Sequence, residues 1–339
     1  MLASLLVTIG RPTWWLLALS GFLVRGGFLV FIVPIVMLPS PLAISNAVGP
    51  VVVPIALGRV SIDVIVLSVA AVALFLSWLL VAGWIAAACD LALIREGAAA
   101  AVEEGIGPPG PPLGRPHGPT GPAAEPRDRT ILSRLLAARL IAWLPFLAAL
   151  GIGTVRIVAV IYAQLTRPAE VASPLALRVA MEAAPELAII AVSWLLGELV
   201  GGLAGRRIVL AGTPLGRALL AAAGDIVRRP VASVLPWLVT TGFLLTILGG
   251  TVGAAGIAWS RVVVSLTDRP IDLPIVALNV LFFVAIWLTA LVLAGLFAAF
   301  RGSAQTFEAA RRQFATGTFG ASAHHRPGDW SIPDEGGSL

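Results

Sequence analysis

Residues 273–300 read LPIVALNVLFFVAIWLTALVLAGLFAAF, a run with no ionisable side chain. A hydrocarbon core about 30 Å thick is crossed by roughly 20 apolar residues in a helix. This run is therefore long enough to span a bilayer. Working outward from it, five further stretches meet the same length: about 14–38, 64–89, 141–163, 185–204 and 234–258. Six such runs in one chain predict an all-α, polytopic transmembrane helical bundle.

Composition agrees. Hydrophobic residues make up 58% of the 339 positions and charged residues 12%. A soluble domain carries about 25% charged residues, and a fold this apolar could not cover its surface in water. The basic residues are all Arg, with no Lys, which together with the wealth of Ala, Gly, Pro, Val and Leu fits a GC-rich prokaryotic genome. Cys89 is the sole cysteine, so neither an intrachain disulfide nor a cysteine metal cluster is available. Residues 1–10 carry no basic side chain ahead of the first apolar run, and no small-residue cleavage site follows a short apolar core. The first run is thus expected to remain as a span.

The arginines set an orientation. Arg11 precedes the first span, and Arg95, Arg115, Arg127, Arg129, Arg134 and Arg139 lie between the second and third. Arg206, Arg207, Arg217, Arg228 and Arg229 lie between the fourth and fifth, and Arg301, Arg311, Arg312 and Arg326 follow the sixth. The opposite connections hold Arg59, Arg167, Arg178, Arg261 and Arg269. Cytoplasmic loops of membrane proteins are enriched in basic residues, and the bias here is roughly three to one. The expectation is a multi-pass protein of a prokaryotic plasma (inner) membrane with both termini cytoplasmic.

Several connecting segments have their own character. Residues 42–60, LAISNAVGPVVVPIALGRV, are apolar but broken by Gly49, Pro50, Pro54 and Gly58. Two prolines this close each cost a helical hydrogen bond, and bare irregular backbone is not tolerated against lipid. The stretch reads as an outer loop or a shielded re-entrant segment, with a seventh span as the alternative. Residues 105–129 form a Pro/Gly-rich cytoplasmic linker that cannot build a core. The organisation expected is a first helical hairpin with its outer loop (1–104), that linker, a four-span remainder (130–302) and a mostly flexible cytoplasmic tail (303–339).

Within the remainder, residues 213–229, TPLGRALLAAAGDIVRR, place Leu215, Leu219, Ala222 and Ile226 on one stripe. Thr213 suits a cap and Pro214 the first helical position, and Pro230 stops the helix. This predicts an interfacial helix on the inner leaflet. Each odd-numbered span also begins with Trp after a basic or half-apolar approach, as in GRPTWWLLALSGFL, SRLLAARLIAWLPFL and VRRPVASVLPWLVTTGFL. Three helical hairpins are a plausible unit, although shared membrane-entry physics produces the same pattern without duplication.

Chemistry is sparse. His117 falls in the linker, and His324 and His325 fall in the tail; no span contains histidine. There is no HExxH, GxSxG or Walker A pattern. No catalytic residue, metal ligand or cofactor is assigned, and nucleic acid is not an expected partner. The lipid bilayer is the expected partner, while the sequence leaves other protein partners and the oligomeric state open. Charges inside spans are the strongest functional pointers, because each costs roughly 2.5–3.5 kcal/mol at mid-membrane on insertion scales. They are Arg25 in LVRGGFL, Arg156 in GTVRIVAV, Glu186 and, deeper, Glu198 in LLGELVGG. Estimated depths pair Arg25 with Glu198 and Arg156 with Glu186. Such pairs either lock helix packing or line a polar pathway, and the poverty of other polar residues favours packing. Asp63, Asp268, Asp272 and Glu170 near the outer span ends, and Asp90 near an inner one, read as solvated carboxylates. Gly197, Gly201 and Gly205, and Gly249 with Gly253, form small-residue ridges of the kind that let helices approach closely in lipid.

The stretch RRIVLAGTPLGRALLAAAGDIVRRPVASVLPWLVTTG, residues 206–242, resembles a pattern in bacterial six-span proteins, among them the membrane domain attached to some glycerophosphodiester phosphodiesterases. There, too, a span ends in a basic turn, an amphipathic Ala/Leu helix follows, and a basic-proline step enters the next span. The resemblance covers about a tenth of the chain and implies an architecture. No phosphodiesterase domain accompanies it, so that activity is not carried over. Two functions are expected to compete. One is a non-enzymatic membrane component, either a permease-like subunit or a scaffold. The other is a membrane-embedded enzyme acting on a lipid or lipid-linked substrate. A permease requires a polar cavity at the intramembrane charges; a scaffold requires them closed and dry.

Overall fold

A computed structural model describes residues 2–32, 62–106, 126–166, 175–267 and 272–315. The segment 42–60, most of the Pro/Gly linker, Asp268, Glu170, the three histidines and the tail from 316 lie outside the described residues. The described chain is an all-α bundle containing six helices long and apolar enough to cross a membrane. It is an integral membrane protein.

In chain order, α1 (Leu2–Ile9) leads into α2 (Pro12–Phe22), where Pro12 occupies the first helical position, as its fixed φ allows. A π-helical turn at Leu23–Gly27 follows, and the span continues as α3 (Phe28–Ile32). The long helices α4 (Ile62–Glu103) and α5 (Pro126–Thr166) come next, then the short α6 (Leu175–Glu182) and α7 (Ala184–Ala211). The chain then forms α8 (Leu215–Arg228), α9 (Pro230–Thr267) and α10 (Leu273–Ala315). At 1.5 Å per residue, helices of this length run to about 60 Å, twice the hydrocarbon thickness. Their apolar halves suit lipid. Most side chains from Ile65 to Val81 on α4, among them Leu67, Val69 and Leu74, are well exposed. Their Arg-bearing ends continue beyond the apolar stretch.

Helices α5 and α7 pack as one hairpin, and α9 and α10 as another. Helix α2 lies more extensively on α10 than on α4. The glycines explain the close approaches. A Cβ at Gly197 would meet the Ala142 carbonyl oxygen at 2.9 Å, and one at Gly205 would meet Leu135 at 3.2 Å. The ridge on α7 is therefore spent on α5 within the chain. Gly249 and Gly253 have no atom within 4 Å of the would-be Cβ among the described residues. On the other side of the bundle, a Cβ at Gly295 would meet the Trp15 carbonyl oxygen at 2.9 Å.

Several element boundaries differ from the sequence expectation. Helix α5 begins at Pro126, inside the region read as linker. Helix α10 runs to Ala315, past the expected start of the tail at 303. The reason is packing. Thr306 and Phe307 are buried, and the Thr8 hydroxyl lies 2.8 Å from that of Ser303, tying α1 to α10. Gly212, at φ +62°, closes α7 in the left-handed conformation that glycine adopts freely, and its N–H donates to the Arg207 carbonyl. Helix α8 then starts at Leu215, with Pro214 as its N-cap residue, and the Thr213 hydroxyl makes no capping bond. Its stripe faces the bundle: Leu215, Leu219 and Ala222 pack against Leu91, Leu135, Ala204 and Ile208. Leu220 and Val227 remain exposed on the other side.

Candidate functional site

Where the apolar run of α2 is interrupted, the backbone explains how a charge enters the bundle. The turn at Leu23–Gly27 contains Gly26 at φ +104°, a conformation strained for any side chain. Single π-turns inside helices recur at functional positions. This one brings Arg25 to the wall of a cavity of about 410 Å³. Its Nε donates to the Gly21 carbonyl at 2.8 Å, and its guanidinium forks onto Asp90, with Nη2–Oδ1 at 3.0 Å and Nη1–Oδ2 at 3.4 Å. The partner of Arg25 is thus Asp90, which the sequence suggested was a solvated carboxylate at a span end. The expectation of Glu198 is corrected. Asp90, at the end of the apolar run of α4, meets Arg25 because α4 packs against the π-turn of α2.

Asp90 also pairs with Arg139 of α5, with Nη2 at 3.1 Å. Arg139 in turn lies 3.8 Å from Glu198, and Arg301 of α10 approaches the other oxygen of Glu198 at 3.8 Å. Glu198, only 8% exposed at its side chain, is therefore held between two guanidinium groups. Arg206, just over two helical turns beyond it on α7, is also buried. It donates to the carbonyls of Gly202 (2.8 Å) and Gly302 (3.0 Å) and to the Thr306 hydroxyl (3.3 Å). Among the described residues, no carboxylate pairs with it. Arg25, Arg139, Arg206 and Arg301 face Asp90 and Glu198 across one cavity, leaving positive charge in excess.

The remaining walls are apolar and aromatic. Trp78, Trp143, Trp194 and Trp237 line the cavity, with Phe22, Phe75 and Phe146. Two buried polar atoms of residues on this wall have no partner, Nε1 of Trp143 and the hydroxyl oxygen of Thr241, and Nη1 of Arg139 makes no hydrogen bond, only the 3.8 Å ion pair with Glu198. Each is able to donate a hydrogen bond, and buried donors are ordinarily satisfied. The cavity is thus charged and donor-rich at one end, and greasy along its sides.

The other two sequence candidates stand apart. Arg156 Nε is 3.4 Å from Glu186, on α5 and α7 near the opposite ends of their spans, and Arg156 is largely exposed. They do not join the cavity. Sequence reasoning singled out Arg25 and Glu198 but missed Asp90, Arg139, Arg206 and Arg301. Each of those four sits just outside an apolar run, where a charge resembles an ordinary loop residue. The available signal was that all four fall at the same end of the bundle. Asp272 accepts a long backbone bond from Ile275 at 3.4 Å at the start of α10. Among the described residues, no group of three His, Cys, Asp or Glu is placed to hold a metal ion. Comparison with known proteins finds no match to this chain, whether by family model, curated sequence or solved structure.

Proposed function

We propose that this protein is a non-enzymatic, permease-like membrane component whose polar cavity binds an anionic ligand, set in a prokaryotic plasma membrane with both termini cytoplasmic. The observation that carries the reading is the cavity itself: Arg25 and Glu198 line a space of about 410 Å³ instead of closing on each other. A scaffold would close that space, since unpaired buried charge and unsatisfied donors cost stability without return. Excess guanidinium charge favours an anion. The arginine distribution supports the orientation.

Thiol accessibility tests this. With Cys89 replaced by Ala, Thr241→Cys or Ala298→Cys should react with a small water-soluble maleimide in intact membranes. Phe243→Cys, exposed on α9 within its apolar run and away from the cavity, serves as the lipid-facing control. Failure of both cavity positions to react, in protein that purifies as folded, would remove the permease reading and leave the scaffold.

A further inference from the structure

We infer that the ligand of this cavity is a phosphate-headed lipid, bound with its phosphate among the guanidinium groups and its chain lying towards an opening between α7 and α9. The inference rests on the hydrated-cavity reading above and adds the chemistry of the occupant. Three observations lead to it.

The first is the number and kind of free donors. Trp143 and Thr241 line the cavity with the indole N–H and the hydroxyl unpartnered, Arg139 shares its guanidinium between Asp90 and the more distant Glu198, and Arg206 spends its bonds on carbonyls and a hydroxyl, with its charge left unneutralised. A phosphate offers several acceptor oxygens and one to two negative charges, which matches convergent donors and excess positive charge. A carboxylate supplies fewer acceptors and a single charge.

The second is the shape. A lone inorganic anion occupies a small part of a 410 Å³ cavity. The rest of its wall is Trp, Phe and Leu, which stabilise apolar atoms by roughly 25 cal/mol per Å² buried. A ligand with an anionic head and an apolar body satisfies both ends of this space.

The third is the way in. Helices α7 and α9 both contribute lining residues, yet among the described residues they scarcely touch. Trp194 of α7 and Leu245 of α9 both line the cavity, and Leu245 is half exposed. A chain can leave the cavity there without leaving hydrocarbon.

The test uses the full-length protein in an uncharged maltoside detergent, followed by thermal unfolding. Dioctanoyl phosphatidic acid should raise the midpoint by several degrees. Inorganic phosphate at the same concentration, and uncharged dioctanoylglycerol, should each raise it far less. Arg206→Gln should lower the apparent affinity for the phosphatidic acid at least tenfold. Should that variant fail to fold, Leu245→Trp provides an independent reading. It adds bulk at a half-exposed position on the cavity wall, and should weaken phosphatidic acid at least tenfold in protein that still unfolds cooperatively. Equal protection by inorganic phosphate would overturn the lipid and leave a free-anion site. Equal protection by dioctanoylglycerol would overturn the phosphate. Undiminished protection in the folded variants would move binding away from this cavity altogether. Reactive cavity thiols with no protection by phosphatidic acid would sink the lipid inference while leaving the permease-like reading standing.

Discussion

Asp90 holds the charges of the cavity together, accepting from both Arg25 and Arg139. Removing one member of a dry buried pair costs roughly 3–5 kcal/mol, because the partner is stranded. Asp90 retains 22% side-chain exposure and borders open space, so water can take up part of that loss. We expect Asp90→Ala to lose about 1–2 kcal/mol, below the dry-pair range, and the double change Asp90→Ala with Arg25→Ala to be no less stable than Asp90→Ala alone. Chemical unfolding of the purified variants measures both. A loss at the full dry-pair value would mean a closed, packed network and would count against the permease-like reading. Sequence alone exposed Arg25 and Glu198, because a charge inside an apolar run has no bland explanation on its own helix. It concealed Asp90 and Arg301, because the last residue of a span and the first of a loop look alike until a neighbouring helix fixes their depth.

The helices themselves were largely legible. The apolar runs predict the spans, since length against bilayer thickness is a one-dimensional argument that needs no neighbours. The stripe of α8 was equally readable: its spacing of four, three and four puts Leu215, Leu219, Ala222 and Ile226 on one face, and that face turns to the bundle. What escaped was everything set by contact between helices. Helix α10 outlasts its apolar run because Ser303, Thr306 and Phe307 have α1, α2 and α4 to pack on. Trp14 closes the same region by donating to Glu96 of α4. The π-turn in α2 has no composition cue beyond Gly26-Gly27. Its backbone is required by geometry: a Cβ at Gly27 would meet the Phe22 carbonyl oxygen at 2.6 Å and the Phe22 ring closer still.

For the whole molecule, the arginine-rich ends of α4, α5, α7 and α10 all lie on one side. Reporter fusions after Gly118 and after Leu339 should read cytoplasmic, and one near Pro174 external; an external signal at Gly118 would overturn the orientation. The depth of the charged cluster then has an electrical consequence. Asp90 and Arg301 sit where the apolar runs of α4 and α10 end, so an ion seated among them occupies one edge of the transmembrane field. Arrival from that edge does almost no work against the membrane voltage. Passage onward, along walls that carry no further charge on α9 until Arg261, traverses nearly the whole drop, about 2.3 kcal/mol per unit charge at 100 mV. Flux of a phosphate-bearing ligand in liposomes held at a diffusion potential should therefore scale with voltage if the ligand crosses to the far face. It should ignore voltage if the ligand only enters and leaves at the arginine-rich edge.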